Sequence, residues 1–265
     1  MAPGARSTAR INAVFISDLH LGTRDCHAAQ LAQFLRQTQM QTLYLVGDIV
    51  DLWSMRRGIY WPASHQEVLR LIVEKARNGT RVVYVPGNHD DLARSLCGLL
   101  LADVEVHHEF VHTTGEGLRM LVLHGDVFDG AVRFSPVLKA TGCALYTVAL
   151  FISHYVNLTR GLLGLPRWSL ATWIKSRVGD AVDYVCRFER AAANEAVRRG
   201  FDGIICGHIH RPSVEQIDGV LYCNDGDWVE HCTALIEDRS GELKLWHHRQ
   251  DQSAVQVTEP LRDAA

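Results

Sequence analysis

Five short polar segments, each directly after an apolar run, constrain this chain more than any other feature of its sequence. One of them is Gly87-Asn88-His89-Asp90, which follows the apolar run 82–86. Such a run is typical of a buried strand, and open α/β sheets build their sites where strands end. The other four segments are Asp18-Leu19-His20, Gly47-Asp48-Ile49-Val50-Asp51, His124-Gly125-Asp126 and Gly207-His208-Ile209-His210. Chance often produces one Asp-x-His, but five such segments at successive strand ends indicate a common site.

Length and composition are those of an ordinary globular protein. The chain has 265 residues, of which 47% are hydrophobic and 22% charged, which suits one domain or a domain with an insertion. The net charge of −3 gives no reason to expect a nucleic-acid partner. Seven scattered cysteines favour free thiols in a reducing compartment, and the first residues contain no apolar run that would predict a secretory signal. We therefore expect a cytoplasmic protein.

The periodicity of apolar residues divides the chain into a core and an insertion. Strands are predicted over 11–17, 42–47, 81–86, 104–113, 118–123 and 202–206, helices over 26–39, 65–78 and 91–102, and a loop over 52–63. Residues 130–199 change to long helical periodicity without strand alternation. We assign 1–129 and 191–250 to the core, 130–190 to a helical cap or lid, and 251–265 to a polar tail.

The polar segments supply a mixed set of carboxylate, imidazole and amide groups. The candidate metal ligands are Asp18, His20, Asp48, Asn88, His124, His208 and His210. This set suits Mn²⁺, Fe²⁺ or Zn²⁺ better than Ca²⁺ or Mg²⁺. It is too large for one tetrahedral ion and about large enough for two ions that share a carboxylate, which is the usual clamp for displacement at phosphorus. Counting two divalent ions, two carboxylates and a bridging hydroxide, the site keeps a charge of roughly +1 and attracts a phosphate.

Other polar residues near these segments admit two interpretations. Asp126, Asp225, Asp227 and Glu230 fit turn and supporting roles as well as direct roles at the site. Asp51 is predicted to assist a catalytic group, with a helix cap as the alternative. His65 and Trp228 are predicted to pack inside the protein.

The five segments together resemble the motifs of the calcineurin-like metallophosphoesterases. The resemblance covers nearly all of 13–235 apart from the insertion, and it implies an α/β fold, a four-layer αββα sandwich. It implies that one metal is held by Asp18, His20, Asp48 and His210, and the other by Asp48, Asn88, His124 and His208, so that Asp48 bridges the two. It also implies that His89 is the catalytic histidine, which donates to the substrate phosphate or leaving oxygen, and that Asp51 orients it.

Within that superfamily, the chain is most similar to the UDP-2,3-diacylglucosamine pyrophosphohydrolases of lipid A synthesis. The likeness rests on segments 16–22, 207–212 and 224–229 and on a helical insertion before Gly-His-x-His. It implies two Mn²⁺ ions, with Fe²⁺ or Zn²⁺ as alternatives, and hydrolysis of UDP-2,3-diacylglucosamine to UMP and 2,3-diacylglucosamine 1-phosphate by a hydroxide that bridges the metals. It further implies a peripheral position on the cytoplasmic face of the inner membrane.

The chain departs from that subfamily at two positions. The best-known members carry Arg where this chain has His89, and Glu where it has Asp51. Because of these departures, the alternative hypothesis is that the chain is a related phosphodiesterase or phosphomonoesterase, which acts on another lipid-linked or soluble phosphoester. A third hypothesis is a non-catalytic interaction module on the same fold. The complete set of candidate metal ligands argues against this hypothesis, because a non-catalytic module would not need it.

The insertion has a composition of its own. Residues 131–187 contain seven Lys or Arg against two Asp, a net charge of +5, interleaved with Leu and Trp. This composition is typical of an interfacial helix or a lid over acyl chains, so we expect a membrane surface as a partner; a soluble cap that packs on the core is the alternative. Lys175 and Arg177 lie where the family's insertion offers basic residues to the substrate. The sequence does not specify the oligomeric state.

Overall fold

The computed structural model describes residues 11–130 and 179–248. The chain divides into two compact units, Met1–Asp126 with Ala193–Ala265, and Val127–Ala192. Lys175, Arg177, the polar tail and most of the predicted insertion lie outside the described residues. The domain boundaries given above therefore stay predictions.

Strands and helices alternate along the first part of the chain, and strands dominate its end. The strands are β1 (Ile11–Ile16), β2 (Met40–Leu45), β3 (Arg81–Tyr84), β4 (Leu100–Leu101), β5 (Val104–Val106), β6 (Phe110–Thr113), β7 (Arg119–Val122), β8 (Gly203–Cys206), β9 (Ser213–Ile217), β10 (Val220–Asn224), β11 (Thr233–Glu237) and β12 (Leu243–His247). The α-helices are α1 (Ala28–Gln37), α2 (Leu52–Met55), α3 (Ala63–Arg77) and α4 (Gly179–Arg199), and 3₁₀ turns cover Asp91–Leu96 and Asp126–Gly130.

The strands of the larger unit form two mixed sheets. The first has the order β12-β11-β1-β2-β3-β5-β4, in which β1, β2, β3 and β5 pair in parallel and the other three pair antiparallel. The second has the order β6-β7-β8-β10-β9, with β7, β8 and β10 parallel in the middle. The parallel strands therefore end at one edge of each sheet.

Alternate side chains of the first sheet enter two different cores. Val14 of β1 packs in a core with Leu31 of α1, whereas Phe15 packs in a core with Ile205 of the second sheet. This alternation is what a strand covered on both faces requires, because successive side chains point to opposite sides. The α/β sandwich predicted from the sequence is confirmed.

The predicted helix over 91–102 is wrong. The segment is a 3₁₀ turn over Asp91–Leu96 followed by the edge strand β4. Gly98 has a φ of +88° and donates its N–H to the carbonyl of Val106 at 2.7 Å, so the chain turns there and pairs with β5. The leucines that suggested a helical face are exposed, Leu100 by 65%.

The predicted loop over 52–63 also contains structure that the pattern did not indicate. Its first four residues form α2, and the carboxylate of Asp51 accepts a hydrogen bond from the N–H of Ser54 at 2.7 Å. This is the N-cap geometry in which an aspartate satisfies a free N–H at the start of a helix. A four-residue helix is too short to produce a periodic apolar pattern.

The predicted helix over 65–78 and the buried positions predicted for His65 and Trp228 are confirmed. α3 ends before Gly79, whose φ is +87°, and Asp218 and Gly219 join β9 to β10 with φ of +50° and +87°, as a tight hairpin turn requires. His65 is buried and accepts the N–H of Gly22 at 3.0 Å, and Trp228 is fully buried. The six described cysteines are free. Within the described residues, no helix combines the length and apolar character needed to cross a membrane.

Candidate metal centre

The seven candidate ligands lie just beyond the carboxyl ends of strands from both sheets. Asp18 and His20 follow β1, Asp48 follows β2, Asn88 follows β3, His124 follows β7, and His208 and His210 follow β8. The chain bends sharply at five of them, because Asp18, His20, Asp48, His208 and His210 have φ between +47° and +68°. Such backbone costs on the order of 1–3 kcal/mol per residue and persists where the surrounding structure holds it. The strain is concentrated where the side chains converge.

Glycines beside the ligands allow the loops to approach one another. A Cβ on Gly47 would lie 2.2 Å from Nδ1 of His124, and one on Gly87 would lie 2.2 Å from Oδ1 of Asp48. A Cβ on Gly207 would lie 2.5 Å from Oδ2 of Asp18. Gly47, Gly87 and Gly207 are therefore required by close contact with the ligands.

The first cluster contains Asp18, His20 and His210, whose ligand atoms lie within 4.8 Å of one another. Nε2 of His210 lies 3.1 Å from Oδ1 of Asp18, and Nε2 of His20 lies 3.7 Å from the same oxygen. Nε2 of His20 also lies 3.9 Å from Oδ2 of Asp48. These are the residues predicted for the first metal.

The second cluster contains Asp48, His124 and His208, again within 4.8 Å. Nε2 of His124 lies 3.5 Å from Oδ2 of Asp48, the oxygen that also faces His20. The backbone beside Asn88 contacts this cluster. The N–H of the next residue, His89, donates to Oδ1 of Asp48 at 2.8 Å. One oxygen of Asp48 thus faces both clusters, as a bridging ligand must.

Buried atoms without partners test whether these residues fit metal ions. Oδ1 of Asn88 and Nε2 of His124 are buried and have no hydrogen-bond partner, which costs about 1–3 kcal/mol for each such group. Nδ1 of His124 lies 2.8 Å from the carbonyl of Val46, so Nδ1–H donates there and Nε2, which faces the cluster, is left as the metal-binding nitrogen. This backbone contact is the usual support of a metal-binding histidine. The residues therefore fit two divalent ions.

Opposite charges hold the cluster together when no ion is bound. Burial opposes protonation of His20, but hydrogen bonds to Asp18 and Asp51 prevail and raise its pKa to about 10. Burial likewise opposes protonation of His124, but the charges of Asp48 and Asp18 and hydrogen bonds to Asp48 and Val46 together raise its pKa to about 10. Burial raises the pKa of Asp48, but the charges of His124 and His20 and a hydrogen bond to His124 together lower that pKa to about 2. A metal ion must displace the protons of both imidazoles.

Asp51 contacts two histidines at once. Its Oδ2 lies 3.1 Å from Nδ1 of His20 and 3.1 Å from Nδ1 of His89, while its Oδ1 caps α2. Burial would raise its pKa, but the contacts with His20 and His89 lower that pKa well below the usual range, so Asp51 is ionised. The ring of His89 also packs against Trp53, with ring centroids 4.7 Å apart. The two predicted roles of Asp51, helper and cap, are geometrically compatible.

Asp90 is a supporting residue to which the sequence reasoning gave no role. Its buried carboxylate accepts the N–H of Gly87 at 2.6 Å, the N–H of Ile49 at 2.8 Å and the hydroxyl of Tyr84 at 2.5 Å. It thereby ties the loop after β3 to the loop after β2. Its place at the end of Gly-Asn-His-Asp was the available signal.

The other acidic residues near the motifs have supporting contacts. Asp126 pairs with Arg94 at 2.7 Å. Asp227 accepts backbone N–H groups from Val229 at 2.8 Å and His231 at 3.1 Å. Neither belongs to the two clusters above.

Residues 11–212 match the model of the calcineurin-like phosphoesterases, and the chain belongs to this family of hydrolases. Its curated relatives include the UDP-2,3-diacylglucosamine hydrolase of Ralstonia nicotianae, which is 35% identical over 93% of this chain and 91% of its own length. Proteins of the same name from Neisseria meningitidis serogroup B and Sodalis glossinidius are 28% and 23% identical, and these matches cover 84% and 94% of this chain and 92% and 95% of the relatives.

Proposed function

We propose that this phosphoesterase hydrolyses the pyrophosphate of a nucleotide-lipid, UDP-2,3-diacylglucosamine, to UMP and 2,3-diacylglucosamine 1-phosphate. The observation that carries the proposal is the pair of ligand clusters that share one oxygen of Asp48. The names and the coverage of the curated relatives support this substrate. Water adds to one phosphorus, the P–O–P bond breaks, and the departing phosphate oxygen takes up a proton.

In this proposal each ion has four protein ligands. The first ion would be held by Asp18, His20, Asp48 and His210, and the second would be held by Asp48, Asn88, His124 and His208. We propose Mn²⁺ for both, since mixed imidazole and carboxylate ligands suit it; Fe²⁺ and Zn²⁺ are the alternatives. Two such ions, when bound, neutralise phosphate charge and lower the pKa of a water enough for it to act near neutral pH.

His89 is proposed to donate a proton to the substrate phosphate or the leaving oxygen. Its side chain is 27% exposed, so a substrate can reach it, and Asp51 lies at 3.1 Å on its Nδ1 side. A carboxylate beside one nitrogen of an imidazole orients the ring and stabilises the charged imidazolium, in which the other nitrogen carries a proton to donate. Asp51 thus orients a donor and, through His20, a metal ligand.

The remaining parts of the proposal concern location. We propose that the enzyme is cytoplasmic and attaches to the cytoplasmic face of the inner membrane through 130–190, where Lys175 and Arg177 contact substrate. The charge of +5 over 131–187 supports attraction to anionic lipid. Flotation with vesicles that contain anionic lipid tests this, with neutral vesicles as the control. Equal recovery from both would contradict it.

The direct test of function is release of UMP. Purified protein with Mn²⁺ and UDP-2,3-diacylglucosamine is expected to yield UMP and the lipid 1-phosphate in equal amounts. Metal-stripped protein and the Asp48→Asn variant serve as controls. UMP at the level of these controls would reject the proposal.

A second function is favoured by one observation. The His89–Asp51 pair stands where the best-known lipid A enzymes carry Arg and Glu, which suggests a related phosphodiesterase or phosphomonoesterase acting on another phosphoester. Turnover of aryl phosphate mono- and diesters distinguishes the two. Efficient turnover of an aryl ester, with none of UDP-2,3-diacylglucosamine, would favour the second function.

A further inference from the structure

The two oxygens of Asp18 face different surroundings. Oδ1 points to the cluster, 3.1 Å from Nε2 of His210. Oδ2 accepts the hydroxyl of Ser17 at 2.6 Å and the N–H of His208 at 2.8 Å. Two protein donors therefore fix Oδ2, and this leaves Oδ1 to serve a metal ion.

Ser17 has more acceptors around it than it has hydrogens. Its Oγ lies 2.6 Å from Oδ2 of Asp18 and also 2.6 Å from Oδ1 of Asp225, on a segment 208 residues away in the chain. A hydroxyl donates only one hydrogen. Asp18 must be ionised to bind metal, so the hydrogen of Ser17 goes to Asp18. Oγ can then lie 2.6 Å from Asp225 only if the carboxyl of Asp225 supplies the second hydrogen.

The surroundings of Asp225 are those of a neutral acid. Its side chain is fully buried, and its Oδ2 has no hydrogen-bond partner. An ionised carboxylate with a bare oxygen in that position would carry a large desolvation cost, whereas the carbonyl oxygen of a neutral acid carries a small one. Burial raises the pKa of Asp225 well above its usual range.

The backbone around Asp225 holds it in place behind the site. Its N–H donates to the carbonyl of Cys206 at 3.1 Å, and its own carbonyl accepts the hydroxyl of Thr233 at 2.8 Å. The preceding Asn224 donates to the carbonyl of Gly207 at 2.7 Å, one residue before His208. The end of β10 thus supports both Asp18 and the loop that follows β8.

We propose that Asp225 is a protonated carboxylic acid that donates to Ser17, so that Ser17 in turn donates to Asp18 and positions it as a metal ligand. Asp225 is a positioning residue, since it is fully buried and lies outside both ligand clusters. The proposal rests on the assignment of Asp18 as a ligand under the proposed function. A neutral group behind Asp18 leaves the full negative charge of that carboxylate for the metal ion.

The test compares two replacements of Asp225. Asp225→Asn keeps the size and a hydrogen donor without needing a proton, whereas Asp225→Leu keeps approximate size and donates nothing. In titration calorimetry at pH 7, the Mn²⁺ affinity of Asp225→Asn is expected to lie within about threefold of the wild-type affinity. For Asp225→Leu, the Mn²⁺ affinity is expected to fall about 10–100-fold, the range for loss of supporting partners of metal ligands. Equal losses for both variants, or none for Leu, would overturn the proposal.

A second readout does not depend on metal or on how Asp225→Leu folds. The infrared difference spectrum of wild type minus Asp225→Asn, recorded at pH 7 without added metal, is expected to contain the C=O band of a protonated carboxyl. Its absence would overturn the proposal.

The Asp18→Asn variant separates this proposal from the site assignment on which it rests. If Asp18→Asn binds Mn²⁺ as wild type does, the assignment of Asp18 fails. If that variant loses Mn²⁺ while Asp225→Leu binds normally, only the role of Asp225 fails.

Discussion

Asp51 links the candidate catalytic residue to the metal cluster. One of its oxygens lies 3.1 Å from both His20 and His89, and the other caps α2. Asn in its place would keep an acceptor for the cap but would lose the charge that favours the orientation of both imidazoles.

Asp51→Asn is therefore expected to weaken Mn²⁺ binding about 10–100-fold, the range seen for supporting partners of metal ligands, and to slow turnover as well. Calorimetry and initial rates measure the two effects. Asp238→Asn is a matched control, because Asp238 also accepts a backbone N–H, that of Ser240 at 2.8 Å. Unchanged Mn²⁺ binding in Asp51→Asn would contradict the contact with His20 as a support.

His89→Ala is expected to separate chemistry from metal binding. General acid catalysis contributes about 10²–10⁴-fold, so kcat should fall by that factor while the Mn²⁺ affinity changes less than about tenfold. His107→Ala, which removes a histidine paired with Glu105, is the control. A fall in kcat of less than about tenfold would refute the role of His89.

The raised pKa values of His20 and His124 predict how metal binding depends on pH. Both pKa values are about 10 without metal, so both side chains are charged at pH 7, and a metal ion must displace about two protons. Mn²⁺ affinity should therefore rise with pH between pH 7 and pH 10. Calorimetry in buffers of different ionisation enthalpy counts the released protons. No release at pH 7 would contradict the charged state of these histidines.

The sequence predicted the clustered ligands and the supporting role of Asp51, but not the contacts of the other supporting residues. Asp18, Asp48 and the histidines could be identified because each stands in a short motif at the end of an apolar run. Asp225 and Ser17 are 208 residues apart, and their contact follows only from the order of strands in three dimensions. Asp90 was inside a recognised motif, but its partners come from two loops, and no local pattern predicts that.

At the scale of elements, glycines decide how closely the strand ends approach. A Cβ on Gly87 would lie 2.2 Å from Oδ1 and 2.7 Å from the backbone N of Asp48, and backbone cannot move aside easily. A Cβ on Gly58 would meet nothing within 4 Å, which makes Gly58 a matched control.

Gly87→Ala is expected to destabilise the protein by about 1–3 kcal/mol, as overpacking does, and to reduce Mn²⁺ binding because it displaces Asp48. Gly58→Ala should stay within about 0.5 kcal/mol of wild type. Urea unfolding and calorimetry measure both. Equal stability and equal metal binding in the two variants would show that the loops are not closely packed.

The elements that were predicted correctly have strong periodic signals. Buried strands such as β1 and β8 read as continuous apolar runs because both faces are covered. The error at 91–102 arose because exposed leucines mimic the apolar face of a helix, while Gly98 and the pairing of β4 with β5 determine the actual path. Periodicity shows where apolar residues lie, but not whether another element covers them.

At the scale of the whole molecule, two sheets bring distant segments to one site. Ligands between Asp18 and His210 span most of the chain, and they converge because parallel strands of both sheets end beside one another. The function proposed here depends on that convergence, since neither sheet alone supplies both clusters. The basic region 131–187 adds the proposed membrane contact, which the vesicle experiment tests separately.

The measurement that tests the central claim most directly is the metal content of the protein. After equilibrium dialysis against Mn²⁺ and removal of free ion, elemental analysis should find two Mn²⁺ per chain in wild type and fewer in Asp48→Asn, which lacks the shared carboxylate. One ion or none in wild type, or two ions in Asp48→Asn, would contradict the two-metal centre.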